Sequence, residues 1–95
     1  MIEVTMEKLD KYYQLTEQAR KKATPIAKNK EDKNRLEIML EMCDNYIFDS
    51  KYFRDRGDLV SAFGAINYAH AWLDAAVRIR LLDGHGDDYL FTIPE

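Results

Sequence analysis

Two long segments with helical apolar periodicity meet at Arg56-Gly57-Asp58 with almost no chain between them, and that junction limits the possible folds more than anything else in the sequence. Gly57 tolerates the left-handed conformation that closes a helix, and Asp58 is a natural N-cap for the next one. One glycine and one cap leave no room for a loop, so the flanking segments must form a tight antiparallel hairpin. The first, helix 2, spans about Lys30 to Arg56 and carries a stripe of Leu36, Met39, Leu40, Cys43, Tyr46, Ile47, Ser50 and Phe53. The second, helix 3, spans about Leu59 to Leu82 and carries two adjoining stripes. Leu59, Ala62, Ile66, Ala69, Leu73 and Ala76 form one, and Ala65, Tyr68, Trp72, Ala75 and Ile79 form the other. So wide an apolar arc predicts a helix covered on two sides.

A third helix supplies the second cover. Ile2, Met6, Leu9, Tyr12, Tyr13, Thr16, Ala19 and Ala23 recur at helical spacing over about residues 3–23, and Pro25 ends the run by disfavouring helix at Thr24. TPIAKNK reads as a loop, with Asn29 capping helix 2. The tail, 83–95, leaves helix 3 at Gly84, and its Tyr89, Leu90, Phe91 and Ile93 are apolar enough to pack back. The predicted fold is all-α: one domain over residues 1–95, a three-helix up-down-up bundle with a short returning tail.

Composition narrows the class. With 46% apolar and 33% charged residues, the chain reads as globular rather than disordered. A net charge of -3 gives no global field for nucleic acid. A lone Cys43 inside an apolar stripe forms no internal disulfide and suggests a reducing, cytoplasmic setting. MIEVTMEKLDKYY lacks a basic start and apolar run, and no segment approaches the 18 apolar residues of a membrane span. The expectation is a cytosolic, self-contained domain.

The hairpin Tyr46–x3–Ser50–x2–Phe53–x3–Gly57-Asp58–x3–Ala62–x3–Ile66–x2–Ala69 resembles a single tetratricopeptide repeat, with Asp49 where that repeat prefers leucine and no second copy. A closer resemblance covers nearly the whole chain. Tyr46, Asp49-Ser50, Tyr52-Phe53, Gly57-Asp58, Ala62-Phe63, Ile66, Tyr68-Ala69-His70 and Trp72-Leu73-Asp74-Ala75 look like the signature of the archaeal family catalogued as domain of unknown function 357. Leu90-Phe91-Thr92 is also family-like. The resemblance implies a small helical bundle and carries over no catalytic residue.

Five features bear on function. Asp49, Asn67, His70 and Asp74 form a polar set at the edge of the hairpin, with Asp49 expected partly buried and partnered by His70 or Tyr68. This set reads as a ligand pocket or as a hydrogen-bond network fixing helix register, and two carboxylates with one His under-coordinate a metal. Asp83-Gly84-His85-Gly86-Asp87-Asp88 offers oxygen and imidazole groups but fails the calcium-loop pattern, so a solvated helix exit is expected. Arg80 and His85 have a spacing similar to that of HEPN ribonucleases, without the polar residue after the arginine, since Leu81 stands there. The stretch from Arg20 to Arg35 holds seven of the fourteen Lys and Arg residues but lacks interleaved aromatics, and reads as a solvated face. Tyr68 and Trp72 read as core, or as a dimer or partner surface if left uncovered.

Ser50, Gly57, Asp58, Ala62, Ala69 and Trp72 are expected to be structural. No Ser–His–Asp order, CxxC, phosphate loop or dinucleotide turn is present, so no catalytic residue, cofactor or metal is assigned. The expected function is a non-enzymatic protein-interaction or scaffold module, as a possible homodimer. The alternatives are a nucleic-acid-associated module using the basic 20–35 region and a small-ligand or metal-binding protein using Asp49 and His70.

Overall fold

The computed structural model describes residues 3–92. Ile2 and Ile93, expected on the helix 1 face and in the packed tail, lie outside the described residues. Helix α1 covers Met6–Lys22, α2 covers Lys30–Asp55 and α3 covers Leu59–Arg78. Each begins at a side-chain cap that satisfies an otherwise orphaned amide. Thr5 accepts from the Lys8 N–H at 3.1 Å, Asn29 from Asp32 at 2.8 Å and Asp58 from Ser61 at 3.1 Å.

The α2–α3 junction closes as its sequence predicts. Gly57 has φ +80°, its N–H donates to the Arg54 carbonyl, and the Asp58 N–H donates to the Phe53 carbonyl. These two bonds make a Schellman motif, which needs the left-handed residue that glycine supplies most cheaply. Asp58 then caps α3 at once.

The directions of the helices follow from which residues meet. Going down α1 from Arg20 to Glu17 to Tyr13, the partners climb α2 from Asp44 to Lys51 and Ser50, so α1 and α2 are antiparallel. Tyr12 meets Phe63 and Thr16 meets His70, so α1 and α3 are parallel. The bundle is up-down-up, 45 × 25 × 20 Å in extent. Among the described residues no helix is long and apolar enough to cross a membrane.

Two expectations about α3 need correction. It ends at Arg78 rather than near Leu82, because Arg80 turns left-handed at φ +64°. The Leu81 N–H returns to the Ala76 carbonyl and the Arg80 N–H to Val77, a second Schellman motif built without glycine. The turn drives Leu81 and Leu82 into the core, both at most 5% exposed. It also lays Leu82–Asp83 (β2) antiparallel to Thr24–Pro25 (β1), inside the stretch read as pure loop.

The second correction concerns cover. The first stripe of α3 is buried from Ala62 to Ala76, but the second is not enclosed by α1. Ala65 and Trp72 are half-buried, while Tyr68, Ala75 and Ile79 are exposed. α1 lies instead along the side bearing Phe63 and His70. The tail packs back only in part: Leu90 and Phe91 join the core with Leu36, Cys43 and Leu73, while Tyr89, expected with them, points to solvent at 70% exposure. Gly84 is what admits Phe91, since a Cβ there would stand 2.9 Å from the ring.

Candidate functional site

Ser50 is where the three helices are tied together. Its hydroxyl accepts from the Tyr13 hydroxyl at 2.6 Å and donates to the Ala62 carbonyl at 2.5 Å. Ser50 and Ala62 are fully buried, so the small pair allows close approach and the hydroxyl leaves no polar atom stranded. Burial raises the Tyr13 phenol above its ordinary range, which keeps it a neutral donor. The Ser50–Ala62 contact was legible as small-residue packing; Tyr13 as the third member was not, because tyrosine on an apolar stripe reads simply as core.

Three of the four residues in the predicted polar set do converge. Asn67, His70 and Asp74, from successive turns of α3, line one cleft of about 620 Å³ with Tyr12 of α1 and with Asp88 and Thr92 of the tail. His70 Nε2 lies 2.7 Å from the Leu90 carbonyl and Nδ1 lies 3.0 Å from Thr16 Oγ1. A carbonyl only accepts, so Nε2 carries a hydrogen and donates it to Leu90, while Nδ1 and the Thr16 hydroxyl share the second hydrogen bond. Asp74 accepts the Thr92 N–H at 2.9 Å, and Asn67 donates to the Phe63 carbonyl one turn back. The cleft's polar groups therefore hold α1 and the tail onto α3.

Asp49 does not join them. It was expected partly buried against His70 or Tyr68, but it is exposed on α2, one position before the inward-facing Ser50. His70 has given both ring nitrogens to Thr16 and Leu90, and Tyr68 packs on Tyr46 with ring centroids 4.6 Å apart. Among the described residues no group of three or more His, Cys, Asp or Glu could hold a metal ion.

The tail's polar run is likewise engaged internally. Asp87 binds Lys22 at 2.7 Å and accepts the Tyr89 and Leu90 amides, and the Lys22 contact first, then these amides, pulls its carboxyl below the usual range. His85 Nε2 lies 2.7 Å from Thr24 Oγ1, so it braces the start of the tail against β1. Arg80 lines a different cleft with Lys28 and Asp32. Up-down-up topology thus gathers the end of α1, the start of α2 and the end of α3 at one pole, adding Arg78 and Arg80 to the basic 20–35 stretch. Cys43 is buried among apolar side chains, and desolvation raises its thiol to about 11, so it is unreactive.

Among the described residues, the outer side of α3 is the apolar helix side with the least internal cover. Val60, Tyr68 and Ile79 stand there 72%, 54% and 58% exposed, with Gly64, Ala71 and Ala75 between them. Ser61, Asn67 and Arg78 are polar residues on that side. Tyr46 of α2 widens it through its contact with Tyr68, and Trp72 borders it with a buried indole N–H that finds no hydrogen-bond partner among the described residues.

Fold and sites together define an all-α three-helix bundle in which, among the described residues, one apolar side of α3 stays largely exposed. The chain belongs to the family of proteins of unknown function DUF357, whose profile matches residues 11–82. No curated protein and no solved structure matches it.

Proposed function

We propose that this chain is a non-enzymatic, cytoplasmic protein-interaction module that docks a helix along the outer side of α3. The observation that carries the reading is the contrast between that side and an ordinary solvated helix face. Exposed apolar residues scattered singly need no explanation, but a continuous apolar strip running the length of a helix favours a partner. The small residues set among the larger ones suit close approach by a second helix backbone. The test places a photo-crosslinking side chain at Ala71, and as control at Glu41 on α2, in cells making the protein. One recurrent chain, identified by its sequence and captured from position 71 alone, is the expected result. Equal capture from both positions, or none, contradicts the reading.

The pole formed by Lys21, Lys28, Lys30 and Lys33 with Arg78 and Arg80 favours a second reading, contact with nucleic-acid phosphates. That binding would weaken steeply as salt rises. The cleft beside His70 supports a small-ligand reading only if the ligand displaces Leu90 or Thr16 from the ring.

A further inference from the structure

We propose that the cleft between the start of α2 and the exit of α3 is a phosphate-binding site, with Arg80 as its clamp and Lys28 as the second charge. The inference rests on the phosphate-contact reading of the basic pole above, and fixes where on that pole the contact is made.

The path of the chain builds the cleft. Thr24 pairs with Asp83 and Pro25 with Leu82, and the Ile26 N–H donates to the Leu81 carbonyl at 3.0 Å. Continued by one residue, that register sets Arg80 beside Ala27, with Lys28 and the α2 cap Asn29 immediately beyond. These residues, with Ile26 and Asp32, line a cleft of about 500 Å³.

Its charges differ in situation. Asp32 is the one acidic residue of the lining, and both its carboxylate oxygens are already met, one by Arg35 at 3.0 Å and the other by the Asn29 amide at 3.2 Å. Arg20, Lys22 and Arg35 are likewise paired, with Asp44, Asp87 and Asp32. Lys28 and Arg80 are exposed, and among the described residues their side chains make no hydrogen bond or salt bridge. Two unpaired cations beside one paired carboxylate leave the cleft positive. A guanidinium presents its N–H groups in the fork that takes two phosphate oxygens at once, and a lysine adds a point charge.

The backbone of Arg80 supplies an independent observation. The same Schellman motif closes α2 and α3, and its left-handed residue is Gly57 in the first and Arg80, at φ +64°, in the second. Glycine takes that conformation without steric cost and arginine does not. Nothing the Arg80 side chain touches within its own chain offsets the cost. A strained residue whose charged side chain stands unpaired over a cleft is placed for a ligand rather than for the fold.

The test titrates the full chain with inorganic phosphate at constant ionic strength and follows its backbone amide resonances. The parent should show saturable shifts confined to Ala27, Lys28, Asn29 and Leu81. Arg80→Gly keeps the left-handed turn and should melt no lower than the parent, so weaker binding there is not a loss of fold. Its phosphate affinity should fall by about tenfold or more. Arg78→Ala removes a cation from the same pole but outside the cleft, and should change affinity by less than about twofold. Unsaturated shifts spread over the pole, or equal losses in the two variants, overturn the proposal.

A single-stranded RNA oligonucleotide in the same titration separates the sources. RNA that displaces phosphate and binds Arg80→Gly more weakly identifies a nucleic-acid phosphate as the ligand. Phosphate bound at the cleft without RNA binding identifies a small phosphate ester, and removes the nucleic-acid reading alone. RNA bound equally by the parent and Arg80→Gly, with no saturable phosphate site, overturns the proposal and leaves that reading standing.

Discussion

The two sides of α3 are close to each other in composition and opposite in situation. The inner side, with Ala62, Ile66, Ala69 and Leu73, is fully buried against α1 and α2. The outer side repeats the same mixture of small and apolar residues and, among the described residues, is left exposed apart from the contact of Tyr68 with Tyr46. An apolar stripe therefore predicts burial, and only the packing of the other helices tells which stripe is buried within the molecule. α1 has one apolar face and lies along the Phe63–His70 side, so Tyr68, Ala75 and Ile79 of the second stripe stay exposed among the described residues.

Substitutions separate the two sides most sharply in the core. Leu73→Ala should cost about 2–5 kcal/mol, while a change of similar size outside, Ile79→Ala, should stay within about 0.5 kcal/mol in dilute protein. Thermal melting reads the difference directly, at roughly 4–8 °C per kcal/mol for a domain this small. Comparable losses at both positions would mean that the outer strip is covered after all.

Ser50→Ala comes next. It strands the buried Tyr13 hydroxyl and removes the bond to the Ala62 carbonyl, a loss of about 1–3 kcal/mol. Tyr13→Phe should cost less than Ser50→Ala, because it leaves Ser50 its carbonyl acceptor.

The polar cleft should show a local effect. His70→Ala should cost about 1–2 kcal/mol and speed amide exchange at Leu90 and Thr92 more than at Cys43. Asp49→Asn should change stability by less than about 0.5 kcal/mol, since nothing in the fold leans on that carboxylate. Exchange at the tail unaffected by His70→Ala would show that the tail is held by its apolar residues alone.

Two smaller effects belong to the chain ends of α3 and α1. Arg80→Gly relieves a left-handed strain of roughly 1–2 kcal/mol and adds about 0.4–1 kcal/mol of unfolded-chain entropy, so a net gain near 0.5 kcal/mol is expected. Asp87 has its carboxyl held below the usual carboxylate range by Lys22 and the tail amides. A depressed carboxylate contributes its stability above its unfolded pKa and loses it as pH falls through the folded value. Tail amide protection should therefore be complete near neutrality and fall only in acid below about pH 4, and Lys22→Ala should shift that loss to higher pH.

Much of this was legible because helices carry periodic signals. The hairpin followed from Gly57-Asp58, and the core faces of α1 and α2 from their stripes. Asn67, His70 and Asp74 could be grouped because residues three and four apart share a helix side. The rest lacked a local signal. Arg80 adopts a conformation that sequence assigns to glycine, so the early end of α3, and the β1–β2 pair it creates, were invisible. Asp49 was misplaced because one position's rotation on α2 separates an outward carboxylate from the inward Ser50. The contacts of Leu90 and Thr92 with His70 and Asp74 depend on the path of an aperiodic tail.

The most direct measurement is capture by the photo-crosslinking side chain at Ala71, in the parent chain and in one that also carries Ala75→Glu, paired with their melting midpoints in dilute solution. One identified partner captured by the parent, its capture abolished by Ala75→Glu, and equal midpoints are the predicted result. A parent that captures nothing recurrent, or an Ala75→Glu chain that melts well below it, contradicts the assignment of α3's outer side as a docking surface.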